Sequence, residues 1–145
     1  VFRYGNIPPI IFLSVCTKNR AKLLASPTAH ELLLECWQKA DGFSVGRYVI
    51  LPEHLHLFCS PRTLDSTPLE KWVRFWKSLF SRSFRSTQTQ QIWQSGFWDT
   101  QLRRSDSYGA KWEYVRSNPV RHGLVADPDD WPYQGEVEIL EWHDR

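Results

Sequence analysis

The chain contains no methionine, not even at position 1, which reads as a sequence without its natural start. It also lacks any run of about 18 or more apolar residues and any signal-peptide pattern, so nothing in it predicts a membrane span or export. Cysteine is scarce and odd in number. Cys16, Cys36 and Cys59 lie far apart without a C-x-x-C, which argues against a disulfide framework and against a cysteine zinc site, and suits a reducing, intracellular home. No internal repeat and no boundary between two folded domains is visible. A chain of 145 residues is long enough for one domain that buries about two thirds of its unfolded surface without such aids.

What is present is aromatic and unevenly charged. There are eight tryptophans, and residues 1–126 hold 17 Lys/Arg against 9 Asp/Glu while residues 127–145 hold 1 against 7. The expected organisation is therefore a basic domain over 1–126 followed by an acidic C-terminal tail over 127–145. A basic, ring-rich body suits phosphates and stacked bases. It equally suits a solvated basic surface around an aromatic core.

The central feature is Tyr48-Val49-Ile50-Leu51-Pro52-Glu53-His54-Leu55-His56-Leu57-Phe58. Side chains alternate along a strand, so His54 and His56 share one face and Leu55 and Leu57 the other. Two adjacent neutral imidazoles can hold one divalent ion, and they can also simply hydrogen-bond to neighbours on a half-buried strand.

Around this stretch, Ile10 to Thr17 predicts a strand, Ser26-Pro27 caps a helix ending near Asp41-Gly42, and Phe43–Leu51 with His54–Ser60 predicts a hairpin. Thr67-Pro68-Leu69-Glu70 is a capping box. The helix it opens has an apolar face of Leu69, Trp72, Val73, Trp76, Leu79 and Phe80. Lys71, Arg74, Lys77 and Arg82 lie on the other face, with Arg85 just beyond, a set suited to a phosphate backbone or to plain solvation. Residues 86–91 read as a polar connector, Ile92 to Arg103 as short strands about a Ser95-Gly96 turn, and Ser105 or Asp106 as the cap of a helix running through Tyr114 to Asn118, where Pro119 stops it. An irregular tail begins near Asp129.

The order strand, helix, strand, strand, helix, strand, helix is the α+β, ferredoxin-like or RRM-like split βαβ plan. It predicts an antiparallel sheet with helices on one face, the other face open, and a tyrosine-bearing C-terminal helix. Tyr114 and Asn118 are four apart and share a helix face. If that face meets the histidines, two imidazoles, an amide oxygen and a phenol converge. An aromatic on such a helix can equally be core, and Asn118 a helix stop.

The stretch from Ile50 to Phe58 resembles the Met-Pro-Asn-His-hydrophobic-His signature of single-tyrosine HUH transposases. Trp93-Gln94-Ser95-Gly96-Phe97-Trp98-Asp99 looks like the family's Trp-Gln-x-Gly-Phe-x-Asp segment, and Tyr114 to Val125 like its Tyr-Ile-x-x-Asn-Pro-Val-x-x-Gly-Leu-Val stretch. Asp130-Trp131-Pro132-Tyr133 looks like the tail of the REP-associated tyrosine transposase subgroup. The resemblance implies that His54, His56 and Asn118 bind Mg²⁺ or Mn²⁺ and that Tyr114 attacks single-stranded DNA beside a hairpin or palindromic repeat, leaving a 5′-phosphotyrosine and a free 3′-hydroxyl. Lys71, Arg74, Lys77, Arg103 and Arg104 are the expected DNA-binding cations. A cytoplasmic, nucleoid-associated bacterial protein, monomeric or homodimeric, is implied. The chain departs from the pattern at Leu51 and Glu53, at Gln134-Gly135 after the tail's aromatic, and at His122, where the family commonly has a small residue.

Two other readings compete. A non-catalytic single-strand-binding module of RRM-like fold would want stacking aromatics on the central strand, where this chain has His-x-His. A metal-dependent hydrolase would need an activated water and more carboxylates than Glu53.

Overall fold

The computed structural model describes residues 7–63, 67–84 and 91–143. Its elements are β1 (Ile11–Cys16), α1 (Pro27–Lys39), β2 (Phe43–Ile50), β3 (His54–Pro61), α2 (Leu69–Phe84), β4 (Trp98–Gln101), α3 (Tyr108–Val115), α4 (Asn118–Arg121) and β5 (Gln134–Glu136). The strands form one antiparallel sheet in the order β4-β1-β3-β2-β5. The histidine strand β3 is thus central, as the split βαβ plan predicts. Arg85 and most of the 86–91 connector fall outside the described residues.

Alternation along β3 divides the core. Leu55 and Leu57 face α1 and α2, burying against Leu33, Trp37, Trp72, Trp76 and Phe80. Ser26 caps α1 by accepting from the Ala29 N–H, with Pro27 in the first turn. Of the apolar face expected on α2, Trp72, Val73, Trp76 and Phe80 are buried, while Leu69 and Leu79 are only partly so.

The opposite face is not open as expected. Ile10, Val49, Leu51 and Phe58 make a second apolar cluster there, covered by Tyr108, Trp112 and Val115 of α3 and by Trp131 and Leu140 from the acidic C-terminal residues. Nor is the tail irregular. Asp127 caps a 3₁₀ turn over Pro128–Asp130, the Trp131 indole donates to the Ile50 carbonyl at 2.9 Å, and β5 pairs with β2. Gly46 permits this cover: a Cβ there would stand 2.5 Å from Tyr108 Oη and 2.6 Å from Leu140. It sits where β2 slips register against β3, between Val45 and Tyr48.

Candidate active site

β3 presents His54 and His56 to the α3 side of the sheet, their ring centroids 4.9 Å apart. His54 is buried. Backbone pinning explains its placement: the Glu53 carbonyl accepts from both the Thr17 N–H and the Thr17 hydroxyl, at 3.0 Å each, so the end of β1 fixes the β2–β3 turn. Glu53 Oε1 then lies 3.5 Å from His54 Nδ1, a buried nitrogen without a hydrogen bond. His56 Nδ1 is 2.7 Å from Ser14 Oγ, and Phe12 stacks on the ring at 5.4 Å and 19°. On each ring a protein oxygen faces Nδ1, so Nε2 is the nitrogen left for another partner.

Burial holds both imidazoles neutral. His56 is pushed down to about 3, first by desolvation and then by His54, His122 and Arg121. His54 is lowered by the same first cause, with Glu53 opposing it. Neutral imidazole is the metal-binding form.

The second half comes from α3 and α4. These form two helices where one was expected. α3 stops at Val115, and Arg116 and Ser117 continue with helical but tightened dihedrals before α4 starts at Asn118. Pro119 is the physical reason. It has no N–H to give to the Val115 carbonyl four residues back, and Asn118 Nδ2 donates to that carbonyl at 2.8 Å instead. The amide nitrogen is thereby engaged and Oδ1 is left as the acceptor, the atom a hard cation takes.

Tyr114 is 68% exposed, and its ring lies under the Arg121 guanidinium at 4.1 Å, while Arg121 also donates to the Tyr114 carbonyl at 2.9 Å. A cavity of about 660 Å³ is lined by His56, Tyr114 and Asn118 together with Phe12, Thr100, Arg103, Lys111 and Arg121. Among the described residues no three His, Cys, Asp or Glu side chains cluster to hold a metal. Two imidazoles and an amide oxygen are a different donor set, of a chemical type that divalent transition ions accept.

The expected site residues do not all converge. His56, Tyr114, Asn118 and Arg103 share the cavity, and His54 adjoins it through His56. Arg104 lies beside Arg103, its carbonyl hydrogen-bonded to the His143 ring. Lys71, Arg74 and Lys77 ride on α2, across the sheet from the histidines. Lys77 is further engaged, donating to the Gln94 and Gly96 carbonyls at 3.0 and 2.8 Å, and Arg74 pairs with Glu70 at 3.5 Å.

Three residues that sequence reasoning passed over come into the site. Lys111 and Arg121 line the cavity, and the ring of His122, which had no expected role, stands 5.6 Å from that of His54. The signal for His122 was available, since it follows Asn118 by one further helical turn.

Residues 10–116 match the model of the family described as transposase IS200 like. The chain belongs to that family. Among curated proteins it is 27% identical to an Escherichia coli K12 REP-associated tyrosine transposase, over 84% of this chain and 73% of the relative. A relative from Haemophilus influenzae named for the same kind of enzyme is 25% identical, over 86% and 77%. Among solved structures, a REP-associated tyrosine transposase bound to a REP hairpin superposes with a TM-score of 0.75 at 29% identity, covering 91% of this chain and 79% of that one. This transposase-family chain therefore has the α+β, single-tyrosine fold expected of it. No helix among the described residues is long and apolar enough to cross a membrane.

Proposed function

We propose that this transposase cuts and rejoins single-stranded DNA beside a hairpin through a covalent tyrosine intermediate, with Tyr114 as nucleophile and His54, His56 and Asn118 as ligands of Mg²⁺ or Mn²⁺. The observation that carries the proposal is that His56, Asn118 and Tyr114 line one cavity although β3 and α3 are far apart in the chain. A divalent ion on these ligands supplies charge stabilisation for a phosphoryl oxygen. Histidine ligation favours Mn²⁺ by affinity, and availability favours Mg²⁺.

The residues do the rest. Tyr114 Oη forms a bond to phosphorus as the bond from phosphorus to the 3′ oxygen breaks, and the phenol's proton is matched by the proton gained by the leaving 3′-hydroxyl. The 5′-phosphotyrosine conserves the energy of the phosphodiester, so a 3′-hydroxyl can reverse the step and rejoin a strand. Arg121, over the tyrosine ring, orients it and places positive charge where the phosphate enters. Ser14 and Glu53 orient the two imidazoles from behind.

Arg103, with Lys111, is suited to the bound strand, and Arg104 lies next in sequence. Lys71, Arg74 and Lys77 would meet only DNA that passes round the sheet. The relative's REP hairpin supports a hairpin as partner. All three site elements come from one chain, which supports a site complete in a monomer. Residues 1–126 would carry the chemistry and 127–145 the cover on the sheet. Three free, buried cysteines suit work in the cytoplasm beside nucleoid DNA.

The test is incubation with hairpin-bearing single-stranded DNA and Mn²⁺, followed by denaturing electrophoresis. Wild type should give a denaturation-resistant adduct that Tyr114→Phe abolishes. An adduct of equal yield with Tyr114→Phe refutes the nucleophile, and binding without an adduct under any metal condition favours the non-catalytic binding module.

A further inference from the structure

Three aromatic side chains are exposed among the described residues: Phe75, Trp98 and Tyr114. Phe75 belongs to α2 and the far side of the sheet. Trp98 does not. In the register, His56 pairs with Ser14, and Ser14 pairs with Trp98. Directly paired residues of antiparallel strands point to the same face, so Trp98 stands on the His56 face, in the same cross-sheet row and two strands away. At about 4.8 Å between strands, its backbone is about 10 Å from that of His56.

The surroundings point to an occupant. β4 is one of the two edge strands and is exposed along its whole length. Thr100, two residues after Trp98 and therefore on the same face, lines the cavity with Tyr114, as do the cations Arg103, Lys111 and Arg121. Trp98 thus stands just outside the cavity that holds the nucleophile, one same-face step along β4 from Thr100. Its indole is 58% exposed, and the core does not explain it. An exposed indole beside a phosphate-attracting cavity is what an unpaired base stacks on.

We propose that Trp98 is a stacking platform for one unpaired base of the strand cleaved at Tyr114, holding the DNA on the β4 side of the scissile phosphate. This inference rests on the proposed single-strand activity and adds a subsite to it. Trp98 positions the strand, and the contact is tolerant of base identity because every base has a π-face.

The test uses the full chain, EDTA to prevent cleavage, and a fluorescent hairpin oligonucleotide with a short single-stranded dA extension at its 5′ or 3′ end. Trp98→Ala should weaken binding about 5- to 150-fold, the loss expected for one stacked base. Trp98→Tyr should restore most of it. An abasic site placed stepwise through the extension should weaken wild type at one position, and at that position Trp98→Ala should bind as wild type does. Equal affinities of wild type and Trp98→Ala for every oligonucleotide overturn the subsite while leaving the cleavage proposal standing. Absence of single-strand binding by wild type overturns both. A Trp98→Ala protein with unchanged DNA affinity but an altered sedimentation coefficient would make Trp98 a protein-contact residue and also overturns the inference.

Discussion

Replacing Ser14 by alanine removes the oxygen 2.7 Å from His56 Nδ1 and leaves the residues that line the cavity unchanged. For Nε2 to be free for a metal, Nδ1 must carry the proton and donate it to Ser14 Oγ. Without that acceptor the imidazole loses its tautomer preference and one of two restraints on its tilt. The other restraint, the Phe12 ring stacked at 5.4 Å, remains. Loss of an orienting partner behind a metal-binding histidine typically costs 10- to 100-fold in affinity, and the surviving stack places Ser14→Ala at the lower end. We expect about tenfold weaker Mn²⁺ binding, or about 1.4 kcal/mol, read from the free Mn²⁺ signal in electron paramagnetic resonance titrations. Ser14→Thr keeps the hydroxyl on a strand that tolerates β-branching, and should bind within about threefold of wild type on the same reasoning. Wild-type affinity in Ser14→Ala, or equal losses in both variants, refutes the role of the hydroxyl.

Pro119→Ala supplies the missing N–H, lets the Val115 carbonyl bond its helical partner, and releases the Asn118 amide. Mn²⁺ affinity should fall about tenfold while helical circular dichroism rises, and unchanged affinity would refute the account of how Asn118 is aimed. Neutralising Arg103 and Lys111 to glutamine should reduce the salt dependence of single-strand binding by about 0.7 per lost phosphate contact. The same change at Lys71 and Arg74 should leave a short hairpin oligonucleotide unaffected and act only on DNA long enough to pass the sheet edge. Metal-free protein should lose stability in acid. Below the unfolded histidine value of 6.5 the unfolded chain binds protons that His56, held down to about 3, does not. Stability therefore falls from about pH 6.5 toward pH 3, by a few kcal/mol, as urea unfolding across that range would record. A flat profile contradicts the burial of neutral His56.

The features legible in the sequence were those set by local rules. Ser26-Pro27 and Thr67-Pro68-Leu69-Glu70 marked helix starts, the alternation of His54, Leu55, His56 and Leu57 set their faces, and the split βαβ element order set the central place of β3. Capping after β4 was harder, because Ser105, Asp106 and Ser107 all carry suitable oxygens. Ser105 or Asp106 was expected, but Asp106 accepts from the Arg103 N–H at 2.6 Å, and Ser107 caps α3 by accepting from Ala110. Periodicity also could not tell which face of the sheet a basic helix would cover, so the α2 cations and the site were read together although the sheet separates them. Arg121 and His122 entered the site through the break after Val115, a product of Pro119 and Asn118 acting together. The C-terminal strand escaped notice because Gln134-Gly135-Glu136 has no apolar alternation, and it forms where β2 offers an edge.

That C-terminal strand also sets an order of events during synthesis. The family-matched segment ends at residue 116, but Asn118, the Trp131 anchor and β5 all lie beyond it. On the ribosome, β1 to β3 and α2 can collapse on the leucine side of β3 while the histidine side, with Val49, Leu51 and Phe58, stays wet. Its cover is completed only when α3 and then the last acidic residues, which bring Trp131 and Leu140, have emerged. A nascent chain stalled near residue 116 would thus hold α3 but lack Trp131, Leu140 and β5, and would leave this face half covered and the β2 edge unpaired.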